Sequence, residues 1–216
     1  MAMNMRPESN PTAAPKGIGM RSAAAISHRE RADLDTVEFA RVAGVGARTP
    51  RWDELPRLRD LAAEAIGHDL ARIEVVRAIF CQDPAMLWAF ERSGSIVGGF
   101  ATLFLTREGV EQMIAGRFDF RMPPLNLLAD RLEVPHGIYW WALFGRGEAK
   151  QAFPDVLAAF RSPRLKRANN WAIPITEDGV RFTTSLGFRP FPAPQPGLFR
   201  YVRALNREGK DLALPA

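Results

Sequence analysis

The spacing of hydrophobic residues first indicates two helices between residues 55 and 80. Leucine, alanine and isoleucine recur at helical spacing from Leu55 to Ile66, and Gly67 is typical of a helix end. A second helical period covers residues 70–80 and stops before Pro84. Ahead of both, residues 36–42 alternate between polar and apolar types, which predicts a strand.

Alternating and continuous apolar runs predict the strands that follow. Residues 86–91 and 95–106 indicate an antiparallel hairpin, whose second arm carries Gly98 and Gly99, a pair that favours a β-bulge. The run Gly137–Gly145 (GIYWWALFG) is apolar throughout, as a buried central strand requires. Further strands are predicted over 171–175, 188–191 and 198–204, the last two forming a closing hairpin.

Three more helical patterns lie between these strands. The segment 107–134 opens with an amphipathic helix. Residues 149–160 keep a helical period that Pro154 interrupts, which predicts two short helical pieces or a kink. Thr176 is a suitable cap for a helix that continues through Ser185 and stops at Gly187.

Composition narrows the class of protein. A chain of 216 residues with 47% hydrophobic and 25% charged residues is long enough for one well-buried core, as in ordinary soluble proteins. No apolar run reaches the roughly 18 residues that a membrane-spanning helix needs. The single cysteine, Cys81, excludes an internal disulfide framework and fits a reducing cytoplasm. The three scattered histidines and Cys81 lack zinc-ligand spacing, so no metal site is predicted.

The net charge of +5 is uneven along the chain. Residues 1–31 hold five Arg or Lys and two Glu among many small residues, a composition that favours disorder. We therefore predict a disordered basic tail over 1–34, an ordered domain over 35–206 and a C-terminal tail over 207–216. A second basic run, 161–167 (RSPRLKR), has no accompanying row of aromatic residues, so it indicates solvated surface rather than nucleic-acid binding.

The order of predicted elements over 35–206 resembles the GNAT acyltransferase superfamily. That order is strand, two helices, hairpin, insert, buried strand, helix, strand, helix and hairpin. Residues 178–189 (DGVRFTTSLGFR) are similar to the last helix and the "LGF" turn before the sixth strand of that superfamily. The resemblance implies an α/β (α+β) fold with a mixed, mostly antiparallel central sheet flanked by helices.

The turn after the buried strand contains two glycines separated by Arg146. Glycines at a strand-to-helix turn let successive backbone N–H groups point toward one anion, and Arg146 could add a charged contact. GNAT members carry Gln or Arg, two residues, Gly, one residue, then Gly or Ala, and Phe144 stands at the first of these positions. The resemblance implies a site for acyl-CoA, with acetyl or a longer acyl group, at Leu143, Phe144, Gly145, Arg146, Gly147 and Ala149.

The last predicted helix departs from the superfamily at Thr183. Many GNAT enzymes have a tyrosine there, four residues before the "LGF" glycine, which protonates the leaving thiolate. A threonine hydroxyl is a poor acid at neutral pH. Another group protonates the thiolate, or no acid is required, or the protein is not an acetyltransferase.

A narrower resemblance concerns the toxin-activating lysine acyltransferases, GNAT-fold enzymes that use acyl carrier protein as donor. Residues 138–145 (IYWWALFG) are similar to their buried-strand motif, and 153–155 (FPD) to a motif in the helix that follows. His68 precedes the hairpin by about the distance of that family's catalytic histidine, whereas its catalytic aspartate falls on Tyr139. This resemblance implies kinship of fold and adds acyl carrier protein as a candidate partner.

Three residues are candidates for catalysis. His68 lies between two predicted helices beside Asp69, which could orient the imidazole, or it is a solvent-facing cap residue. His136 precedes the buried strand and could take a proton from an incoming amine, or it is a loop histidine without a role. Glu133 could accept a proton through a water, or it is only solvated.

Two functions stay open at this point. The first is an N-acyltransferase that moves an acyl group from acyl-CoA or acyl carrier protein to an amine on a small molecule or protein. The second is a GNAT-fold binding or regulatory module without catalysis. The apolar side chains of the insert either pack on the sheet or form a wall around an acyl chain longer than acetyl; they are Met113, Ile114, Met122, Leu125, Leu127 and Leu128.

Overall fold

The computed structural model of the chain describes residues 44–67, 70–145 and 147–201. The strand predicted over 36–42 lies outside these ranges, as do the predicted tails 1–34 and 207–216, so the domain boundaries stay predictions. The first described strand is Val45–Arg48, a segment that the sequence pattern did not single out.

A seven-stranded sheet runs through the described chain. Its strands are β1 Val45–Arg48, β2 Leu87–Arg92, β3 Ser95–Leu105, β4 Gly137–Gly145, β5 Asn169–Ala172, β6 Phe188–Pro190 and β7 Phe199–Tyr201. Their spatial order is β1-β2-β3-β4-β5-β7-β6. Strands β4 and β5 are parallel, and the other described pairs are antiparallel. The predicted mixed, mostly antiparallel sheet is therefore confirmed.

Five α-helices connect the described strands, and their ends follow local signals. They are α1 Leu55–Ile66, α2 Ile73–Gln82, α3 Arg107–Ile114, α4 Phe153–Phe160 and α5 Glu177–Ser185. Gly67 ends α1 with a φ of 118°, which side chains disfavour. The Thr176 hydroxyl caps α5 by accepting a hydrogen bond from the Gly179 N–H at 3.0 Å. No helix in these ranges has the length and apolar character to cross a membrane.

The predicted interruption near Pro154 is confirmed as two helical pieces. A 3₁₀ helix covers Gly147–Ala152, and α4 begins directly after it at Phe153. Pro154 lies in the first turn of α4, where its missing N–H would have had no helical partner.

The predicted bulge in the first hairpin lies one residue before the glycine pair. Phe90 pairs with Gly98 and Glu91 pairs with Ile96, so Val97 is the extra residue. Gly98 and Gly99 instead allow a close approach of neighbouring elements. A Cβ on Gly98 would meet the Phe144 carbonyl oxygen at 2.6 Å, and β4 could not approach as it does.

Core side chains pack on both faces of the sheet, because successive residues of a strand point to opposite sides. On one face, the Phe100 ring of β3 makes T-shaped contacts with Trp140 at 5.4 Å and Phe153 of α4 at 5.2 Å. On the other face, Phe144 of β4 packs against Leu58 of α1 in a smaller cluster. Strand β4 is thus held between α4 and α1.

Candidate functional site

Strands β4 and β5 separate halfway along β4 and leave a cleft. The two strands pair only from Gly137 to Trp140 of β4, opposite residues 169–172. Strand β5 ends at Ala172, three residues earlier than the sequence pattern predicted, and Pro174 follows without an N–H to continue a ladder. The chain then turns into α5. Residues 141–145 of β4 therefore have no described partner on the side of β5.

A second bulge lies in β4 at the point of separation. Ala101 of β3 pairs with Ala142 and Thr102 pairs with Trp140, so Trp141 is the extra residue. Its indole N–H donates a hydrogen bond to the Phe120 carbonyl oxygen at 2.8 Å, which fixes the insert over this point. Alternate backbone groups of a strand point to its two edges. Beyond the bulge, those that do not bond to β3 face the cleft.

The cleft has a volume of about 760 Å³. Residues 139–145 of β4 and residues 172–175 from the end of β5 onward form its sides, and α5 contributes Gly179, Phe182 and Thr183. On the opposite face, α1 and α2 contribute apolar side chains, while Arg59, Arg121 and Gln195 also line the cavity. The cleft is therefore mostly apolar, with polar backbone along the free edge of β4.

Thr183 is buried in the wall of the cleft, and its hydroxyl proton is already engaged. The hydroxyl donates within α5 to the Gly179 carbonyl at 2.9 Å or the Val180 carbonyl at 3.2 Å. Its oxygen can still accept a hydrogen bond from a group in the cleft. Thr183 is thus placed as an acceptor rather than as a proton donor.

Tyr139 also contributes a hydroxyl-bearing side chain to the cleft wall. Its ring stacks at 4.5 Å from Phe120, and the side chain is buried. Desolvation by this burial raises the pKa of the phenol above its usual value. Tyr139 therefore stays protonated at neutral pH and cannot serve as a base.

The residues predicted to bind a cofactor gather at the end of β4. Leu143, Phe144 and Gly145 line the cleft, although the Phe144 ring packs toward α1. Gly147 begins the 3₁₀ helix, and Ala149 is buried with its methyl group so close to Gly145 that a Cβ there would meet it at 2.8 Å. Arg146 lies outside the described residues. A role in cofactor binding stays a prediction for all six.

Of the residues predicted for catalysis, the two that the structure describes do not line the cleft. His136 is exposed, and its backbone N–H donates to Leu105 before β4 begins. Glu133 is also exposed and accepts a hydrogen bond from the Asp130 N–H at 3.2 Å. Five residues of strand, roughly 16 Å, separate His136 from Trp141. His68 lies outside the described residues, so the catalytic roles stay predictions.

The insert, residues 107–134, contributes to the cleft through residues other than the apolar ones named from the sequence as a possible wall. Met113, Leu127 and Leu128 are buried in the core, whereas Met122 and Leu125 are exposed. Ile114 packs partly buried against the core. Packing on the sheet thus accounts for the buried members of this set, and Phe120 and Arg121 are the insert residues that line the cleft.

Sequence reasoning missed the wall that α1 and α2 provide. Leu58, Ala62, Leu70 and Ala71 line the cleft from this side. Leu58 and Ala62 were correctly interpreted as helical, but a core helix has the same spacing, whereas Leu70 and Ala71 lie between α1 and α2 rather than in the helix predicted over 70–80. In the described part of the chain, no group of three or more His, Cys, Asp or Glu side chains could hold a metal ion.

The sequence matches no protein-family model and no curated protein, but solved structures share its fold. The loading GNATL domain of CurA from Lyngbya majuscula aligns with a TM-score of 0.56 and 13% identity, over 73% of this chain and 96% of that domain. The GNAT-like decarboxylase GphF, solved with isobutyryl-CoA, aligns with a TM-score of 0.47 and 19% identity, over 65% and 72%. A GNAT-family acetyltransferase from Streptococcus agalactiae aligns with a TM-score of 0.47 and 13% identity, over 75% and 97%.

The similarity to the CurA domain, together with the seven-stranded, mostly antiparallel sheet, establishes the fold. The chain has the GNAT fold, as a divergent example with low sequence identity to the solved structures that share it.

Proposed function

We propose that the cleft between β4 and β5 binds an acyl thioester and that the protein transfers the acyl group to an amine. The observation that carries this proposal is the free edge of β4 beyond the bulge at Trp141. Backbone N–H groups on such an edge can stabilise the negative charge that develops on a thioester oxygen during attack. The apolar walls suit a pantetheine arm and an acyl group.

The chain's own residues fit an acyl-CoA or acyl carrier substrate. The free edge of β4 can bond to the amides of the pantetheine arm, and the Thr183 oxygen can accept from the opposite wall. We propose that the backbone N–H groups of the turn from Gly145 to Gly147 hold the pyrophosphate of coenzyme A.

Transfer would proceed by direct attack. The amine nitrogen forms a bond to the thioester carbon, the carbon–sulfur bond breaks, and the electron pair leaves with the sulfur. Because the Thr183 proton is engaged, and because burial raises the pKa of Tyr139 and makes its phenol a weaker acid, solvent water is the proton donor to the thiolate and the acceptor of the amine proton in this proposal. The proposal assigns no step to His136, His68 or Glu133.

The experiment is calorimetric titration of the full chain with acetyl-CoA and with an acylated carrier protein, which share the pantetheine arm. We expect at least one of them to bind. Thr183→Trp should abolish that binding by filling the cleft, whereas Thr184→Trp, one residue further on the exposed side of α5, should retain it. The melting temperature of each variant shows whether it has folded. Failure of wild type to bind either donor would overturn the proposal.

A second candidate, a binding module without catalysis, is favoured by the engaged Thr183 hydroxyl. Release of free thiol separates the two functions. Binding that is followed by amine-dependent thiol release supports transfer, and binding without release across a panel of small-molecule and peptide amines supports the module.

A further inference from the structure

The cavity continues beyond the free edge of β4 and passes beneath α1 and α2. Its lining includes Ala101 of β3 and Leu87 of β2, which lie one and two strands beyond β4. Neighbouring strands are about 4.8 Å apart, so this arm of the cavity extends about 10 Å across the sheet. We name it the lateral slot; it is lined by Leu58, Ala62, Ile66, Leu70, Ala71, Val76, Leu87 and Ala101.

Small side chains create the space in the lateral slot. Ala101 is only partly buried although it lies near the middle of β3, where Phe100 and Leu103 are fully buried. An accessible alanine at the centre of a sheet means that no side chain of α1 or α2 covers it. Ala62 and Ala71 lie on the opposite wall, where larger residues would have closed the gap.

The lateral slot is lined by hydrocarbon side chains. Each of the eight side chains that define it is apolar. Arg59, which lies at this wall, directs its Nε to the Ala71 carbonyl at 3.3 Å and pairs with Asp60 at 3.6 Å. Among the described residues that define the slot, a polar substrate group would find no polar side chain to replace its hydrogen bonds to water, whereas methylene groups would gain by burial.

We propose that the lateral slot binds the alkyl chain of the thioester, and that the donor carries an acyl group of about six to eight carbons. This rests on the proposed function, which places the thioester carbonyl at the bulge of β4. A zigzag chain with bonds of about 1.5 Å advances about 1.3 Å per carbon, so about eight carbons fill 10 Å. The alkyl chain would start at Ala142, cross Ala101 and end near Leu87.

The test is a series of acyl-CoA dissociation constants, from acetyl through butanoyl, hexanoyl and octanoyl to dodecanoyl, measured on the full chain without an amine. We expect affinity to rise about two- to fourfold per methylene up to about eight carbons, and then to level off. Omitting the amine ensures that acyl transfer and binding of the acceptor do not affect the measured dissociation constants.

Two variants locate the effect. Ala62→Leu and Ala101→Leu each fill the lateral slot and should reduce the ratio of octanoyl to acetyl affinity at least tenfold. Ala63→Leu makes the same change on α1 at a residue that does not line the cavity, and it should keep the wild-type ratio. Two slot variants are used because one could fail to fold, which the melting temperature reports.

The outcomes separate this inference from the proposed function. If acetyl-CoA binds but affinity is flat or falls with chain length, the lateral slot does not hold the acyl chain and the proposed function stands. A wild-type preference for octanoyl that both folded slot variants retain would also overturn the inference. If no acyl-CoA binds and no acylated carrier protein binds, the proposed function itself fails.

Discussion

Gly99 shows how single residues set the distance between sheet and helix. A Cβ at this position would meet the Trp88 carbonyl oxygen at 2.7 Å, the Leu58 side chain at 2.8 Å and the Phe144 ring at 2.8 Å. The first of these is backbone of the neighbouring strand and cannot move independently. Glycine therefore allows α1 and Phe144 to pack on β3, and this packing lies beside the lateral slot.

We expect Gly99→Ala to lower the free energy of unfolding by about 1–3 kcal/mol, because the added methyl group overpacks a rigid contact. Urea unfolding measures this free energy for wild type and variant. Gly46→Ala is the matched control, since the atom of the described residues that its Cβ would meet is the Asp155 carboxylate oxygen at 3.5 Å, an ordinary contact. Equal losses in the two variants would show that the close approach at Gly99 does not account for the effect.

At the scale of elements, Arg48 joins β1, β2 and the start of α1. Its Nη1 and Nη2 each bond to a carboxylate oxygen of Glu54 at 2.8 Å, and its Nε bonds to Glu91 at 2.5 Å. The hydrogen bond from Arg48 lowers the pKa of Glu54 to about 2, and the Arg51 N–H at 2.7 Å contributes. This arrangement fixes the first turn before α1, the helix that forms one wall of the cleft.

The lowered pKa of Glu54 predicts a pH dependence of stability. Its contribution is present above its usual value of about 4.5 and is lost as pH falls from there toward about 2. We expect the free energy of unfolding of wild type to fall more steeply over this range than that of Glu54→Gln. Urea unfolding at several pH values measures both slopes. Glu64→Gln, at a half-exposed residue 3.9 Å from Arg57, should keep the wild-type slope, and a change as large as that of Glu54→Gln would contradict the assignment.

Most elements were predictable because their signals are local. The glycine after α1, the apolar run of β4 and the cap at Thr176 each specify an element from neighbouring residues alone. Strand β5 begins two residues and ends three residues earlier than predicted, because the pairing with β4 and the position of Pro174 decide its bounds. The bulge at Val97 was likewise displaced from the glycines that suggested it.

The candidate site was less predictable, because it depends on distant pairings. Where β5 stops decides which end of β4 faces the cleft. The sequence alone does not show where β5 stops, so it could not show that His136, which precedes β4, lies at the end away from the cleft. Ala62 and Ala101 resemble any core alanine in sequence. Only the packing of α1 and α2 over β3 shows that the space beside them is open.

At the scale of the whole molecule, Arg164 joins three segments that are distant in sequence. Its Nη1 pairs with Asp83 at 2.7 Å, its Nη2 donates to the Asp130 carbonyl at 2.5 Å, and its Nε donates to the Glu133 carbonyl at 2.8 Å. The guanidinium also lies 5.3 Å from the centre of the Phe104 ring. Arg164 thus differs from the solvated surface predicted for residues 161–167, because it binds the insert and the end of α2 to the loop before β5.

We expect Arg164→Met to lower the free energy of unfolding by about 3–5 kcal/mol, because the Asp83 carboxylate, whose side chain is only 4% exposed, loses its cation. Adding Asp83→Asn should recover part of this loss, since a neutral amide can still accept from the Ala85 N–H. A double-mutant cycle by urea unfolding gives the coupling between the two residues. Arg167→Met is the control in the same basic run, at an exposed residue, and should change stability by less than about 0.5 kcal/mol. If Arg164→Met loses no more than Arg167→Met, the pair does not hold these segments together, and the insert must be fixed by other contacts such as the Trp141 hydrogen bond to Phe120.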